Sequence, residues 1–572
     1  MKFWYNPHLL ALFALLVLSI PALKSLTGPG FYTSHDGETH VARIAQYYQA
    51  LADRQFPPRF AGSFYNGLGS PIFVYIYPLP YFLGSLLHLT GFSFVNSFKI
   101  LMALGFVFSG IFAYLWLKAV FKSEKAAFLG ALFYMWVPYR FLLIYVRGSI
   151  SELLAYTFLP LLLFSVTKLW EENNPKWLAF SAISFSLLLL SQNLVAVISV
   201  PIIFGYVILL AINRDFIKTI TNSLIVIVWG LLISAVTYLP SIFERKFVRF
   251  DEIIKTAYEN HFVTLKQLIR SPWGYGFDLP GIVNDQISFQ IGLTHILILF
   301  FAIFSLAYVS FKKNFSFPRI EKWLATFFLT VFILAAFLML QIKPNTLIWQ
   351  KIKYLHFIDL PWRFLGITSL SLAFLTAFAA KISKSGFLFL LFVVMVLVAN
   401  RNHLRINQAV ERNDSFFAAY SGTATQYDEF TPKWRQSTRV PIGFDQSTHV
   451  EAVSGNAKIE NVVAKSNEVT FEAKVITDNS QVRINKFYFP GANVQVDGQK
   501  LTPFRNLTIT DTGTLLLDIE QDASGLMMVN LEKGEHHVSV KFGETRLRLF
   551  ANFLSFGSLV LALGVLARNV KR

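Results

Sequence analysis

The stretch LLALFALLVLSIPAL, residues 9–23, contains no charged side chain. A helix needs about 20 predominantly apolar residues to cross the roughly 30 Å of hydrocarbon in a bilayer. The stretch also lacks the small-residue cleavage site of a secretory signal peptide. We therefore expect it to remain in the protein as a transmembrane helix.

Similar apolar stretches recur along the whole chain. Of its 572 residues 54% are apolar and only 15% are charged, whereas about a quarter of the residues of a soluble protein are charged. Further spans are predicted near residues 100–117, 126–144, 153–168, 177–191, 194–212, 219–238, 291–310, 323–341, 364–380, 386–400 and 549–567. The sequence therefore predicts a polytopic α-helical membrane protein with about twelve transmembrane helices, and the composition excludes a single soluble globule.

The net charge of +17 is concentrated in the connections between these spans. Residues 401–546 have a balance of −2, and the other 426 residues carry +19. If Met1 is cytoplasmic, the predicted inner segments hold 17 basic and 5 acidic side chains, as the positive-inside rule requires. The segments placed outside are residues 25–97, the turn near Arg147, and residues 239–290, 342–363 and 401–546. The charge thus reports topology in a plasma membrane, and nucleic acid is not an expected partner.

The outer stretch 401–546 has the pattern of a β-domain. Apolar and polar residues alternate through Val469–Val475 and through Val538–Phe542, which indicates strands with one buried face. Asp497-Gly498 stands between two such runs and predicts a hairpin turn. We expect a helical module over residues 1–400, an extracytoplasmic β-sandwich over 401–546, and a final helix with a basic cytoplasmic tail over 547–572.

The most informative outer segment is Ser34–His40, which reads Ser-His-Asp-Gly-Glu-Thr-His. Because the chain has no cysteine, any chemistry must use carboxylates, histidines, basic side chains or hydroxyls. Asp36 stands at the start of a predicted helix, where a carboxylate commonly caps backbone N–H groups. Alternatively, Asp36 is a general base, with Glu38 and His40 tuning its pKa or holding a divalent cation. No residue is assigned as a metal ligand, and a divalent metal ion is the only cofactor left open.

Two predicted surface helices belong to the same outer segment. In the first, the apolar residues Val41, Ile44, Ala45, Tyr48 and Leu51 fall at helical spacing, with Arg43, Gln46 and Arg54 off that stripe. This pattern is typical of an amphipathic helix that lies on the membrane surface. The second helix reaches about Leu89, and Pro78 and Pro80 argue against a straight span there.

Two further clusters of charged residues lie on the outer side. Arg147 and Glu152 stand between two predicted spans, where they could form a surface ion pair with stems that snorkel. Asp359 and Arg363 stand at the outer mouth of another span, where an arginine could bind a phosphate through its planar guanidinium or anchor an aromatic belt. Arg147, Glu152, Asp359 and Arg363 are therefore candidate substrate-binding residues, and Asp36, Glu38 and His40 are candidate catalytic residues.

The order of these segments resembles the GT-C superfamily of integral-membrane glycosyltransferases. Segments 34–40, 77–81, 147–152 and 361–364 resemble the membrane proteins labelled 6-pyruvoyl-tetrahydropterin synthase-related and, more distantly, the YfhO-like proteins. Residues 487–491 and 496–498 resemble the β-domain of the YfhO-like group. A soluble synthase domain with a histidine zinc site is not found, so the label does not imply pterin chemistry.

The resemblance implies transfer of a sugar from a polyprenyl-phosphate carrier to a glycan, lipid or protein acceptor on the outer face, with inversion at the anomeric carbon. It puts the family's first-loop acid on Asp36 and its second-loop acid on Glu152. Many GT-C members have two adjacent acids in the first loop, whereas this chain has Asp36-Gly37-Glu38. Two other functions remain open: a transporter or flippase for a lipid-linked saccharide, and a non-catalytic assembly protein whose β-domain binds partners.

Overall fold

The computed structural model describes residues 6–253, 258–278, 286–312, 317–422, 425, 428–435, 448–501 and 525–570. The first helices are α1 (Pro7–Leu23), α2 (Gly37–Ala52), α3 (Ile72–Tyr75), α4 (Leu79–Leu89), α5 (Phe94–Phe121), α6 (Glu124–Met135), α7 (Pro138–Phe141) and α8 (Ile150–Glu172). They are followed by α9 (Pro175–Ser191), α10 (Asn193–Ile212), α11 (Phe216–Ile233), α12 (Ala235–Phe243), α13 (Phe250–Ile253) and α14 (Leu265–Ile269). The last are α15 (Leu293–Phe311), α16 (Arg319–Met339), α17 (Lys343–Lys351), α18 (Leu365–Ile382), α19 (Gly386–Asn400), α20 (Asp414–Ala418) and α21 (Arg546–Val570).

Ten helical segments of the described residues are long and apolar enough to cross a membrane. They contain α1, α5, α8, α10, α11, α15, α16, α18, α19 and α21. These ten predicted spans are confirmed, and the chain is a multi-pass membrane protein. Lys2, Lys313, Lys571 and Arg572, which were counted among the inner basic residues, lie outside the described residues.

Two of the about twelve predicted spans differ from straight long helices within the described residues. The span predicted at 126–144 is broken between α6 and the segment Pro138–Arg147, with a bend of 46°. Pro138 lacks the N–H that would continue the helical ladder. The span predicted at 177–191 is α9, whose 17 residues reach only about 26 Å. Counting the bent pair as one span gives eleven.

The predicted β-domain is confirmed as two antiparallel sheets. The strands of the chain are β1 (Phe31–Tyr32), β2 (Ala409–Val410), β3 (Val450–Ser454), β4 (Ala457–Ala464), β5 (Glu468–Val475), β6 (Ser480–Phe487), β7 (Ala492–Val496), β8 (Gln499–Leu501), β9 (Leu526–Leu531) and β10 (Gly534–Phe542). One sheet has the order β4-β5-β10-β7-β8 and the other the order β3-β6-β9. Side chains of both sheets line one small cavity, so the sheets face each other as a sandwich.

The sequence pattern explains the register of this sandwich. The alternating apolar residues of β5 and β10 are buried, and Val538 of β10 pairs with Phe471 of β5. Asp497 and Gly498 join β7 to β8 with positive φ angles of 52° and 77°, which is the geometry of a two-residue hairpin turn. Both sequence predictions are confirmed.

The first outer segment is held between the helical bundle and the β-domain. Strand β1 pairs with β2, which follows the span that contains α19. The Lys486 ammonium of β6 donates hydrogen bonds to the carbonyls of Gly62 and Gly67 at 2.8 and 2.7 Å. The Arg59 guanidinium pairs with Glu544 at 3.0 Å. These contacts fix the segment before α5 rather than leaving it on an open surface.

Helix α2 is consequently more buried than its amphipathic pattern predicts. Its apolar residues Val41, Ile44 and Ala45 are buried, but so are Arg43 and Gln46, which stand on the predicted polar face. Gln46 accepts a hydrogen bond from the Ser63 N–H and donates one to the Ala418 carbonyl. The predicted exposed face is wrong because the chain after α2 and helix α20 cover it. The second predicted surface helix, α4, is confirmed in position and ends at Leu89.

Candidate functional site

Backbone contacts bring the start of α2 against the start of α8. The His35 N–H donates to the Val146 carbonyl at 3.0 Å, and the Asp36 N–H donates to the Arg147 carbonyl at 2.7 Å. Gly148 has a φ of +64°, and a Cβ there would lie 2.9 Å from the Gly37 Cα. The close approach of the two loops thus needs glycine at position 148, and it places Asp36 beside Arg147.

The Asp36 carboxylate pairs with Arg147 instead of capping its own helix. Asp36 occupies the N-cap position of α2, yet its side chain accepts no hydrogen bond from the helix N–H groups. Its Oδ2 lies 3.1 Å from Arg147 Nη2, and the Asp36 side chain remains 39% exposed. Burial acts to raise the pKa of Asp36, but the Arg147 guanidinium opposes this effect, and with His40, Arg363 and His35 it lowers the pKa below the ordinary value. Asp36 is therefore an ionised, accessible carboxylate held by a cation.

Glu152 is the buried centre of the same charge cluster. Its side chain has no exposed surface, and its Oε2 accepts a hydrogen bond from Arg147 Nη1 at 2.5 Å. The Tyr139 hydroxyl, at the bent second half of the α6–α7 span, donates to Oε1. Arg363 Nη1 lies 3.8 Å from Oε2. Glu152 therefore links the arginine of one loop to the arginine of another.

Arg363 lies near the start of the span that contains α18, and one of its N–H donors makes no hydrogen bond within the described residues. Its Nη2 lies 3.1 Å from Asp359 Oδ2, and its buried Nε has no hydrogen-bond partner among the described residues. The Tyr156 hydroxyl donates to the Arg363 carbonyl at 3.1 Å, which fixes the backbone. The Asp359 side chain is 28% exposed. The cluster of Asp36, Arg147, Glu152, Asp359 and Arg363, hereafter the charge cluster, carries a formal charge of −1.

A second series of contacts, which the sequence analysis missed, holds Arg147 through the Trp362 ring. The Arg147 guanidinium lies 5.0 Å from the Trp362 ring centroid, a distance typical of a cation–π contact. The Trp362 Nε1–H donates to Asp278 Oδ2 at 2.6 Å, and His261 Nδ1 lies 2.6 Å from the same oxygen. Asp278 and His261 stand in no recognisable sequence motif. Of these three residues, only Trp362 belongs to a segment that the sequence analysis singled out, next to Arg363.

The three candidate catalytic residues do not converge. Glu38 points to Arg412, with 3.6 Å between its Oε2 and Arg412 Nε. His40 is buried, and its Nδ1 lies 3.1 Å from the Tyr81 hydroxyl. Residues two apart on a helix lie on nearly opposite sides, so Glu38 turns away from Asp36. Burial, followed by the nearby Arg43, lowers the pKa of His40 to about 3, and His40 is neutral.

This separation bears on the divalent cation that the sequence left open. Among the described residues, no three His, Cys, Asp or Glu side chains lie close enough to hold a metal ion. The carboxylates of Asp36, Glu152 and Asp359 all face guanidinium groups. A set of carboxylates that already face guanidinium groups does not fit a divalent metal.

Comparison with known proteins yields distant relatives. No protein-family model matches the chain. An uncharacterized protein of Lactococcus lactis subsp. cremoris is 23% identical over 223 residues, which are 38% of this chain and 35% of that protein. The chain thus matches about a third of the length of this curated relative.

Several solved structures match the chain with low TM-scores. The apo oligosaccharyltransferase of Archaeoglobus fulgidus has a TM-score of 0.43 and 14% identity, over 75% of this chain and 57% of that one. The oligosaccharyltransferase AglB of the same organism, in complex with an inhibitory peptide and a dolichol-phosphate, has a TM-score of 0.42 and 14% identity, over 74% and 56%. The mycobacterial arabinofuranosyltransferase AftD has a TM-score of 0.42 and 12% identity, over 69% and 26%.

The chain matches about half of the length of the oligosaccharyltransferases and about a quarter of AftD. The predicted GT-C-like architecture stays a prediction. The narrower resemblance to the 6-pyruvoyl-tetrahydropterin synthase-related and YfhO-like proteins stays a prediction. The chain is a multi-pass helical membrane protein with a β-sandwich and a buried charge cluster at one end of its bundle.

Proposed function

We propose that this chain is a membrane glycosyltransferase that moves a sugar from a polyprenyl-phosphate carrier to an acceptor hydroxyl of a glycan, lipid or protein. The reaction takes place on the side of the membrane that bears Asp36, which we assign, with the β-domain, to the extracytoplasmic face of the plasma membrane. The observation that carries the proposal is the Asp36 carboxylate. It is accessible, and its side chain does not cap its helix. It pairs directly with Arg147, which Glu152 links to Arg363.

The proposed step is an inverting displacement. The acceptor hydroxyl loses its proton to Asp36 while its oxygen forms a bond to the anomeric carbon of the sugar. The bond between that carbon and the carrier phosphate oxygen breaks, and polyprenyl phosphate leaves with the electron pair. A positioned carboxylate can supply such proton transfer, and the exposure of Asp36 allows an acceptor to reach it.

Arg147 and Arg363 are proposed to bind the carrier phosphate and to stabilise the charge that develops on it. Arg363 has an unpartnered buried Nε–H, and its contact with the partly exposed Asp359 can be exchanged for a phosphate oxygen. Glu152 keeps both guanidiniums in place from the buried side.

Binding of the sugar donor would also change the pKa of the proposed base, Asp36. Arg147 lowers the pKa of Asp36 against the effect of burial, which makes Asp36 a weak base when it is paired with Arg147. A phosphate bound by Arg147 shares the positive charge, so the pKa of Asp36 rises and the carboxylate becomes a better proton acceptor. The base is thus strongest when the donor is present.

His40 and Glu38 have different places in this proposal. His40 is neutral and buried one turn after Asp36 on the same helix face, and we assign it to positioning α2 through Tyr81. Glu38 pairs with Arg412 outside the charge cluster and takes no part in the chemical step. It therefore provides a matched control carboxylate for every test of Asp36.

The test is a transfer assay with the full chain reconstituted in liposomes. A panel of polyprenyl-phosphate-linked sugars is supplied on the Asp36 side, and release of polyprenyl phosphate and formation of glycosylated acceptor are measured by mass spectrometry. We expect both products in equal amounts from at least one donor. Movement of intact carriers across the bilayer without sugar transfer would instead establish a transporter. The absence of both transfer and movement would favour a non-catalytic assembly protein.

A further inference from the structure

A polar cleft lies at the opposite end of α8 from the charge cluster. It has a volume of about 320 Å³ and lies between the C-terminal end of α8 and the start of α11. Its lining includes Trp170, Asn173, Arg214, Lys218 and Asn222. Glu152 stands in the first turn of α8, which has 23 residues, so the two sites are separated by about 30 Å along the helix.

The carboxylates around this cleft already have partners. Glu172 is bound by Lys168 at 2.7 Å and by Lys176 at 3.4 Å. Glu171 is bound by Lys122 and Lys168. Asp215 caps α11 by accepting a hydrogen bond from the Lys218 N–H. Glu171 and Glu172 are therefore paired with lysines, whereas Asp215 keeps one negative charge in the lining of the cleft beside Arg214 and Lys218.

The two cations of the cleft, in contrast, make no ion pair within the part of the chain that the structure describes. Arg214 donates from Nη1 to the carbonyls of Trp170 and Glu171 at 2.8 Å each, which caps α8. The Lys218 side chain is exposed. The buried Nε1–H of Trp170 also lacks an acceptor among the described residues. The cleft thus offers two positive charges and an indole donor to an anion.

The surroundings indicate where such an anion comes from. Arg214 and Lys218 lie close to the point where α10 ends and α11 begins, at the ends of two predicted transmembrane spans. On α11, Phe216, Ile217 and Leu224 are 52%, 79% and 56% exposed, an apolar surface suited to acyl chains. Basic pockets beside transmembrane helices bind anionic headgroups. A free phosphate would use the cations but gain nothing from the apolar surface.

We propose that this cleft binds the phosphate of an anionic glycerophospholipid, with the headgroup between Arg214 and Lys218 and the acyl chains along α11. The Trp170 indole donates to a phosphate oxygen. The site is independent of the proposed glycosyltransferase activity, and it lies on the face that the positive-inside pattern places in the cytoplasm.

The test uses the delipidated full chain in detergent and native mass spectrometry. Dioleoyl phosphatidylglycerol and dioleoyl phosphatidylcholine are titrated separately, and their apparent affinities are compared. Lys218→Gln removes one cation and Trp170→Phe removes the indole N–H while keeping an aromatic ring. Lys384→Gln is the matched control, because Lys384 is an exposed lysine in the turn before α19 and lies outside the cleft.

We expect wild type and Lys384→Gln to prefer phosphatidylglycerol equally. Lys218→Gln should reduce this preference about fivefold, and Trp170→Phe should reduce it by a smaller factor. An unchanged preference in Lys218→Gln, or an equal loss in Lys384→Gln, would overturn the site. In a separate experiment, inorganic phosphate and glycerol 3-phosphate are added as competitors of phosphatidylglycerol. Displacement of phosphatidylglycerol by either at millimolar concentration would identify a soluble phosphate ligand and overturn the lipid assignment.

Discussion

The two ends of helix α8 use the same residue types in opposite ways. At one end, Glu152 has no exposed surface and Arg147 is 6% exposed. At the other end, Glu171 and Glu172 are 19% and 36% exposed, and Lys122 is 62% exposed. Exposed ion pairs contribute about 0–1 kcal/mol each, whereas burying charges carries a desolvation cost of several kcal/mol per ion.

The difference in burial distinguishes charges that only determine membrane topology from charges that belong to a functional site. The exposed lysines need only to stay on one side of the membrane, and any arrangement of them satisfies that requirement. The charge cluster keeps five ionisable groups together in a partly dry place, which stability alone does not favour. Such costly clusters are typical of functional sites, and for this reason we base the proposed function on Asp36 and its partners.

The comparison requires the two ends to face opposite sides of the membrane, and the chain allows a clean test because it has no cysteine. We expect Asn456→Cys, exposed between β3 and β4, to react with a membrane-impermeant maleimide in intact cells. Lys384→Cys should react only after permeabilisation. The effect is all or none, and the reverse labelling pattern would invert the proposed orientation and the assignment of both faces.

Within the charge cluster, Asp36→Asn is expected to have the largest effect on activity. The amide keeps the shape and can still contact Arg147, but it cannot accept a proton. We expect kcat to fall by about 10²–10⁴, measured as transfer in liposomes, with unchanged yield and thermal unfolding. Glu38→Gln, two residues further on, should leave kcat unchanged. Full activity in Asp36→Asn would remove the catalytic role.

Local patterns in the sequence predicted most of the fold. Ten spans, the strands β5 and β10 and the Asp497-Gly498 turn all follow from short periodic or apolar stretches. The burial of Arg43 and Gln46 could not be predicted in this way. It depends on α20 and the chain after α2, and local periodicity carries no information about what covers a polar face.

Four charged residues of the candidate site were singled out from the sequence, and two residues that support them were missed. Asp36, Arg147, Glu152 and Arg363 come together from three separate segments, as their common side of the membrane suggested. Tyr139 and Asp278 were missed because neither stands in a motif, and their roles depend on contacts across many residues of chain. Glu38 stands two residues after Asp36 in the sequence, but its side chain points away from the charge cluster toward Arg412.

Stability offers a direct comparison of the two ends of α8. Glu152→Gln removes the buried charge that pairs with Arg147 and approaches Arg363, and it leaves the buried guanidinium of Arg147 with only the partly exposed Asp36 as its ion-pair partner. We expect a loss of about 3–5 kcal/mol in the free energy of unfolding. Glu171→Gln should cost about 0–1 kcal/mol. Denaturant titration in one detergent measures both, and equal losses would contradict the distinction between the ends.

The smallest effect concerns how Arg363 binds the carrier. The proposal needs a planar guanidinium, because Arg363 offers Nε–H and two Nη groups from a backbone fixed by Tyr156, and lysine has a single ammonium on a flexible stem. Arg363→Lys should therefore weaken binding of polyprenyl phosphate about tenfold, which corresponds to about 1.4 kcal/mol and to the loss of roughly one charge-assisted hydrogen bond. Arg412→Lys, an exposed arginine paired with Glu38, is the control and should bind as wild type does. If Arg363 only anchors the protein at the membrane surface, any snorkelling cation suffices, and wild-type affinity in Arg363→Lys would show that the arginine does not bind the phosphate through its fork.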